Sequence, residues 1–507
     1  MGDKTSWGSL PKEIRLAILE ALLQDGCSLA SLATVSREWQ TTIERHNFAR
    51  IRLTPSRLRC FGSMTHRNRA LVRYIWVCLE LEKYDCPYFD SRGAVMWGDR
   101  SMDNIIITTA LRDLFAALSA WEPQGDLLLD ISLYSPSDSE YWFKELTYVP
   151  DFPSLEECDR TLCDLVKAKR ARVVDDKEHS WTRAPPKIAI VSAFYALSAR
   201  PPRAFSVLGW GGPLSFEDHK VWWDRLPEAP AVTGLLLRQQ NRRHWNPISV
   251  LHIRECLPRV RELHYEPWRH WYPNAQRRAD RAYRYLFPSL VGLERLVLFE
   301  NFDQRYPPSL HHCEPVRTAS PDVGRSVTSD SLRLKHLSAA FIVDASDVFL
   351  SAAREPAWAW PRLTTLALTS RLLAPDTYPT TVDGMLIAAA AWARRMPSLE
   401  TMEIWNGREG VAGMFRFRSF RRGRTPEINW RGTWDLVLGK DVIQAWETVA
   451  NMYRRAGLVV VNDKRLDAAK IRFHGDAIHY LGLEAQVVRP VSLYQMRVER
   501  DIREVRA

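Results

Sequence analysis

The chain has 507 residues, of which 46% are hydrophobic and 26% charged, and its formal net charge is +10. That is ample material for a large core and too long for one ordinary small domain. No run approaches the ~18 consecutive apolar residues of a membrane span, and so modest a positive excess, spread over the whole chain, is not by itself a nucleic-acid footprint.

The first residues, Met1 to Trp7, carry no apolar signal core. Met1-Gly2 with Ser6 fits the loose N-myristoylation pattern, and we read it as a frayed terminus. Eight cysteines (Cys27, Cys60, Cys78, Cys86, Cys158, Cys163, Cys256 and Cys313) are dispersed, with no C-x-x-C pair. Free thiols in a reducing compartment are expected, with a cytoplasmic or nuclear location. Neither Cys158 with Cys163 nor His311-His312-Cys313 has the matching pair a structural zinc needs. No metal and no cofactor is expected.

The first predicted helix runs from Leu10-Pro11-Lys12-Glu13-Ile14 to about Leu23. Pro11 suits a first turn, and Glu13 suits the helix dipole. Ile14, Ile18 and Leu22 recur every four residues and form one stripe. A short helix follows over Leu29–Ala33. A third starts near Ser36, with Trp39 and Ile43 one turn apart. Three short helices cannot bury all these groups alone, so a partner or the next domain must cover some.

Leu10-Pro11-x-Glu13-Ile14, then Ile18, Leu22, Leu29, Leu32, Val35-Ser36 and Trp39, resemble the F-box pattern. That pattern is a Leu-Pro start, spaced aliphatics, and a Val-Ser pair ahead of a Trp. The resemblance covers about forty residues. It implies that Leu10, Pro11, Ile14, Ile18, Leu22, Leu29, Leu32, Val35 and Trp39 engage the Skp-type subunit of a Skp–cullin–F-box ubiquitin ligase, with Trp39 partly internal. The segment from Arg50 to Asp90 is rich in Arg and aromatics, with a short helical turn leading into a strand near Arg73-Tyr74-Ile75-Trp76. It resembles the segment after the F-box in fungal F-box-like families whose downstream domain has no assigned activity.

The middle of the chain repeats a pattern of apolar-Pro-x-Leu/Val followed by alternating apolar residues. It occurs at Ala229-Pro230, Leu257-Pro258, Phe287-Pro288, Trp360-Pro361 and Met396-Pro397, and without the Pro at Leu332–Leu337. Helices are predicted over Ile248–Cys256, Ala275–Leu286, Ala345–Arg354 and Val382–Met396, each stopped before the following strand. Helix, Pro and strand repeating at roughly 28 to 40 residues signify a βα solenoid whose strands stack in parallel. It resembles irregular leucine-rich repeats without their Asn ladder. A doubly wound α/β domain is the alternative. Leu111–Ala120 reads as a helix, and Leu127–Leu133 and Lys187–Leu197 as strands. Two long loops are expected, near 167–187 and 301–331.

Met414-Phe415-Arg416-Phe417-Arg418-Ser419-Phe420-Arg421-Arg422-Gly423-Arg424 predicts an exposed strand or hairpin with Trp430 and Trp434 opposite. A helix over Val442–Arg455, a strand at Leu458–Val461 and elements over His474–Leu483 and Val491–Glu499 should close the end. The expected fold class is therefore mixed α/β (α+β): an F-box-like module over 1–50, an irregular solenoid over 51–410 and a capping region over 411–507.

No phosphate loop, dinucleotide fingerprint, nucleophile elbow or zinc-protease helix is present in the sequence. Gly209-Trp210-Gly211-Gly212-Pro213 reads as a turn. The expectation is a non-catalytic adaptor, with ubiquitin transfer performed by other subunits, a Skp-type subunit and cullin complex as partners, and an unknown protein substrate on the solenoid's concave face and the 301–331 loop. Neither nucleic acid nor membrane is an expected partner. The alternative is a nucleic-acid-binding or scaffold protein using the Arg/aromatic stretch 415–431, with the helical module vestigial. Arg416, Arg418, Arg421, Arg422 and Arg424 are the candidate contacts to a substrate or anion there.

Overall fold

The computed structural model describes residues 7–24, 29–83, 100–142, 145–175, 222–270, 273–304, 316–419, 425–452 and 457–504. It opens with α1 (Lys12–Gln24), α2 (Leu29–Leu32) and α3 (Arg37–Ala49), and α3 passes without a loop into β1 (Arg50–Leu53). Helices α4 (Pro55–Leu58) and α5 (Phe61–Thr65) and a 3-10 turn lead into β2 (Tyr74–Glu80), followed by α6 (Arg100–Ser119), β3 (Leu128–Tyr134) and α7 (Leu155–Asp175). Strand and helix then alternate: β4 (Gly234–Leu237), α8 (Pro247–Glu255), β5 (Glu262–Tyr265), α9 (Pro273–Leu286), β6 (Arg295–Phe299), α10 (Pro321–Asp330), β7 (His336–Ala340), α11 (Ala345–Arg354), β8 (Thr365–Thr369), α12 (Pro379–Ala393) and β9 (Thr401–Arg408). The carboxyl-terminal part holds β10 (Val411–Arg418), β11 (Glu427–Gly432), α13 (Lys440–Met452), β12 (Val459–Asn462), α14 (His474–Leu481) and α15 (Pro490–Glu504).

Among the described residues, all twelve strands form one sheet in which spatial order equals sequence order. Neighbours from β1 to β9 are parallel, β9, β10 and β11 are antiparallel, and β12 returns parallel to β11. One apolar row crosses eleven strands in register: Ile51, Ile75, Leu129, Leu235, Leu263, Leu296, Leu337, Leu366, Met402, Phe417 and Ile428. Period-two alternation sends this row and the residues two further along each strand to the same face. That face makes one continuous core with α6 and α8 to α13, and α8 to α13 pack side by side in sequence order. Proline opens α8, α9, α10 and α12, where its missing N–H costs nothing and its fixed φ suits the first turn.

The Arg and aromatic residues of the segment after α3 meet across the first two strands. Arg50 and Arg52 on β1 face Tyr74 and Trp76 on β2 in register, with guanidinium carbons 4.3 and 4.9 Å from the ring centroids.

Three expectations are corrected. The loop near 167–187 begins later than expected, because α7 runs on through Lys167 to Asp175. The 301–331 stretch is not one long loop, since its second half forms α10. The sequence Pro-Asp-Val-Gly-Arg-Ser-Val-Thr-Ser-Asp is a weak helix former. Tertiary packing overrides that weakness: Val323 and Val327, one turn apart, are fully buried, and Gly324 lets Asp347 of α11 come so close that an added Cβ would lie 3.3 Å from the Asp347 Cβ. The strand over Met414–Arg418 is not exposed either; Ala412 to Phe417 are buried on both faces of the sheet. The segments Lys187–Leu197 and Gly209–Pro213 lie outside the described residues, as do Arg421, Arg422 and Arg424.

Candidate docking face and the covered face of the sheet

The amino-terminal helices hold together through few groups. Among the described residues of α1 to α3, Leu19 of α1 and Ile43 of α3 are the buried apolar side chains, 1% and 2% exposed. Glu38 of α3 clasps the rest: it pairs with the Arg15 Nε at 3.1 Å and accepts from the Trp7 indole N–H at 3.1 Å. Trp7 in turn packs on Trp39, ring centroids 5.1 Å apart. The Ser36 hydroxyl caps α3 by accepting from the Trp39 N–H at 3.3 Å.

The opposite side of α1 faces outward. Ile14 is 48% exposed, Ile18 lies one turn on, and Pro11 precedes them on the same stripe. Val35, between α2 and α3, is 61% exposed. Leu10, Leu22, Leu29, Leu32 and Trp39 are half-buried. None of the nine residues expected at a docking surface is fully buried, and the two that carry the internal packing, Leu19 and Ile43, are not among them.

The second face of the sheet, opposite α8 to α13, is unlike the first. Asp130, Ser132, His264, Ser338 and Glu403 point to it from the strands, and all are buried. Beyond the β4 and β5 strand ends, Arg238, Gln239, Gln240 and Glu266 add to it. Their partners come largely from the carboxyl-terminal segment and from 145–152. Asp130 accepts from the Arg238 Nε at 2.8 Å and from the Tyr74 hydroxyl at 2.7 Å. Glu266 accepts from the backbone N–H groups of Gln239 and Arg489, at 3.0 and 2.8 Å, and from the Ser492 hydroxyl at 2.6 Å. Glu403 accepts from the N–H groups of Glu484 and Ala485, both at 3.0 Å, and from the Arg416 Nε at 2.6 Å. Arg489 pairs with Asp151, and Arg242 with Glu499. Burial pushes the carboxyls of Asp130, Glu266, Glu403 and Glu499 upward, while Arg238, Arg416 and Arg242 hold their partners down against that push. Gly407 on β9 permits a close approach: a Cβ there would sit 2.5 Å from the Ala477 Cβ of α14.

This geometry moves the expected binding regions. A sheet face that was to present a substrate is already covered by the chain's own 466–504 segment. Arg416 is not a solvent-facing contact but a buried partner of Glu403, and Arg418 pairs with Glu427 and Glu484. The sequence did hold a signal for the covered face. Asp, Ser, His and Glu alternate with apolar residues inside strands whose neighbours are parallel, and such a face needs polar partners.

Among the described residues, no cluster of His, Cys, Asp and Glu is placed to hold a metal ion, and no helix is long and apolar enough to cross a membrane. Fold and faces together define a mixed α/β protein on one sequentially ordered, mostly parallel sheet, with three opening helices that turn an apolar stripe outward. Over residues 288–489 the chain is similar to a family model described as "Family of unknown function (DUF6546)". That match runs from the turn before β6 to the residue before α15 and lies far from the opening helices. Neither an F-box nor a leucine-rich-repeat family model matches, and no curated protein matches the chain.

Proposed function

We propose that the chain is a substrate-recruiting adaptor of a Skp–cullin–F-box type ubiquitin ligase. Its opening helices bind the Skp-type subunit, and the sheet and its helices form an irregular leucine-rich-repeat-like solenoid that carries the substrate. Catalysis belongs to the other subunits. The observation that carries this reading is the outward stripe of Pro11, Ile14 and Ile18, together with the exposed Val35, in a module whose described internal packing is left to Leu19 and Ile43. Exposed aliphatics grouped in this way mark an interaction surface. Covering each one would contribute roughly 1.5–3 kcal/mol, against association costs that leave a few central anchors dominant.

The nucleic-acid alternative loses its support at Arg416 and Arg418, whose guanidinium groups are committed to carboxylates. The deciding experiment is co-purification of the full chain with a Skp-type subunit, for wild type, a Leu10→Ala/Pro11→Ala pair and an Ile14→Ala/Ile18→Ala/Val35→Ala triple. Wild type that fails to bind sinks the proposal. Binding retained by both variants rejects this surface.

A further inference from the structure

Helix α9 (Pro273–Leu286) lies in the outer layer between α8 and α10, and its outward face is basic. Arg277, Arg278, Arg281 and Arg284 are all exposed, and Tyr285 beside them is 65% exposed. With about 3.6 residues per turn and about 1.5 Å of rise per residue, these side chains share an arc of roughly 120° over roughly 12 Å of helix. The buried Ala282, Tyr283 and Leu286 lie on the opposite side.

The charge is uncompensated. The single carboxylate of α9, Asp280, is turned aside to Arg317 and to the Gln276 amide. Arg277 reaches the Asn274 Oδ1 of its own helix at 2.5 Å, and none of the four arginines forms an ion pair among the described residues. Carboxylates on the flanking helices have their own partners: Glu255 of α8 faces His252 at 3.0 Å, and Asp322 of α10 faces Arg325 at 3.6 Å.

Helix stability does not account for this arrangement. Arg277 and Arg281 are four residues apart, and Arg278, Arg281 and Arg284 are three apart, so like charges repel along one ridge. Arg277 and Arg278 also stand in the amino-terminal half of the helix, where the dipole disfavours cations, and the first turn holds no acid to offset them. In α10 and α11 the opposite rule is kept, with Asp322 and Asp347 in the first turns. A surface that breaks the local charge rules without compensation inside the fold is placed for a partner outside it.

The make-up of the face selects the chemistry of that partner. The face has no exposed aliphatic side chain to anchor a protein interface or to enter a lipid surface. Its cations are arginines without a lysine, and their planar forks match phosphate oxygens. An exposed aromatic ring beside a row of cations gives an unpaired base a stacking platform. A net charge of +10 spread over the whole chain carries no such footprint, whereas four guanidinium groups on one helix face do.

We infer that the outer face of α9 binds a single-stranded nucleic acid, with its four arginines on the phosphates and Tyr285 stacked on an unpaired base. This activity goes beyond Skp docking and does not depend on it. Binding is measured on the purified full chain without any Skp-type subunit, so either reading can fail alone.

The probes are labelled degenerate single strands of about 20 nucleotides, longer than a typical single-strand site, one of RNA and one of DNA, followed by fluorescence anisotropy. At least one should bind, and the tighter of the two identifies the sugar. The log of its affinity should fall against log salt with a slope of about −3, the value for four phosphates on a single strand. R277A/R281A should weaken binding about tenfold or more and bring the slope to about −1.4, with native circular dichroism. Tyr285→Ala should lose affinity at an unchanged slope, because stacking releases no counterion. R354A/R394A, which removes two exposed arginines at the ends of α11 and α12, should keep both affinity and slope. Binding to neither strand at low salt overturns the inference, as does an equal loss in R354A/R394A and R277A/R281A. A duplex bound as tightly as the single strands, or wild-type affinity in Tyr285→Ala, overturns the unpaired base. Polyglutamate that displaces the strand as well as unlabelled strand does overturns the nucleic acid in favour of an acidic polypeptide.

Discussion

Arg416 on β10 and Glu403 on β9 stand opposite each other in register, Nε to Oε1 at 2.6 Å, on the face of the sheet covered by the carboxyl-terminal segment. Their pairing makes that face a sealed interior instead of an open surface. Glu403 also receives two backbone N–H groups from the turn after α14, so a single carboxylate joins the antiparallel hairpin to the closing segment.

Removing one side of such a pair leaves a buried charge without a counter-charge, at a cost of about 3–5 kcal/mol. Arg416→Ala should therefore lower the urea midpoint sharply, and Glu403→Gln, which keeps an acceptor for the two N–H groups, should cost less than Glu403→Ala. Equal midpoints for Arg416→Ala and wild type would contradict the sealed face.

The opening helices should separate stability from docking. Ile14→Ala and Ile18→Ala remove outward side chains and should leave thermal stability within about 0.5 kcal/mol of wild type. Leu19→Ala removes an inward one and should cost about 2–5 kcal/mol. Thermal melts of the three variants, set beside their Skp-type subunit retention, decide whether stripe and core are assigned to the correct sides of α1.

His474 is fully buried against Phe302, with its Nε2 2.9 Å from the Asn301 Oδ1, and burial lowers its pKa from 6.5 to about 3. A neutral imidazole in the folded state and a protonatable one in the unfolded state mean stability is present above pH 6.5 and falls as pH drops towards 3. The slope from this site is about 1.4 kcal/mol per pH unit at most. His244 and His336, lowered to about 4 by burial, act with the same sign, and the raised carboxylates act with the opposite one. His474→Asn isolates the effect: its stability between pH 6.5 and 5 should fall less steeply than that of wild type. Parallel curves would refute the assignment.

Thiol reactivity should follow burial. Cys60 and Cys163 are exposed, whereas burial pushes Cys78 and Cys256 up to about 11 and Cys158 up to about 12. Since the thiolate is the nucleophile, brief maleimide treatment followed by peptide mapping should find Cys60 and Cys163 tagged before Cys78, Cys158 and Cys256. Early labelling of Cys78 would mean that β2 is not covered as described.

Much of the array was legible in the sequence because its signals are local. Proline after each helix, and alternation within each strand, placed β5, β8 and β9 and the helices before them close to where they lie, and Ser36 marked the start of α3. The α10 helix escaped because Gly324 and its Ser and Thr residues give it little propensity, and its packing against α9, α11 and the sheet core stabilises it.

The opening stripe was readable in the same way, since four-residue spacing fixes which side chains share a helix face. Which of two faces meets solvent is not a local property. The Arg-aromatic alternation of β10 correctly sent Phe415 and Phe417 to one side and Arg416 to the other. Whether Arg416 meets water or Glu403 depended on where the last forty residues return. Arg489 and Asp151 are 338 positions apart, and Gln495 and Thr147 are 348 apart. Such pairings leave no periodicity in the chain, because each forms only after the sheet has brought its partner into place. Sequence by itself determined the repeating strand and helix pattern and the stripe on α1; the tertiary structure decided that the polar side of the sheet is closed by the chain itself.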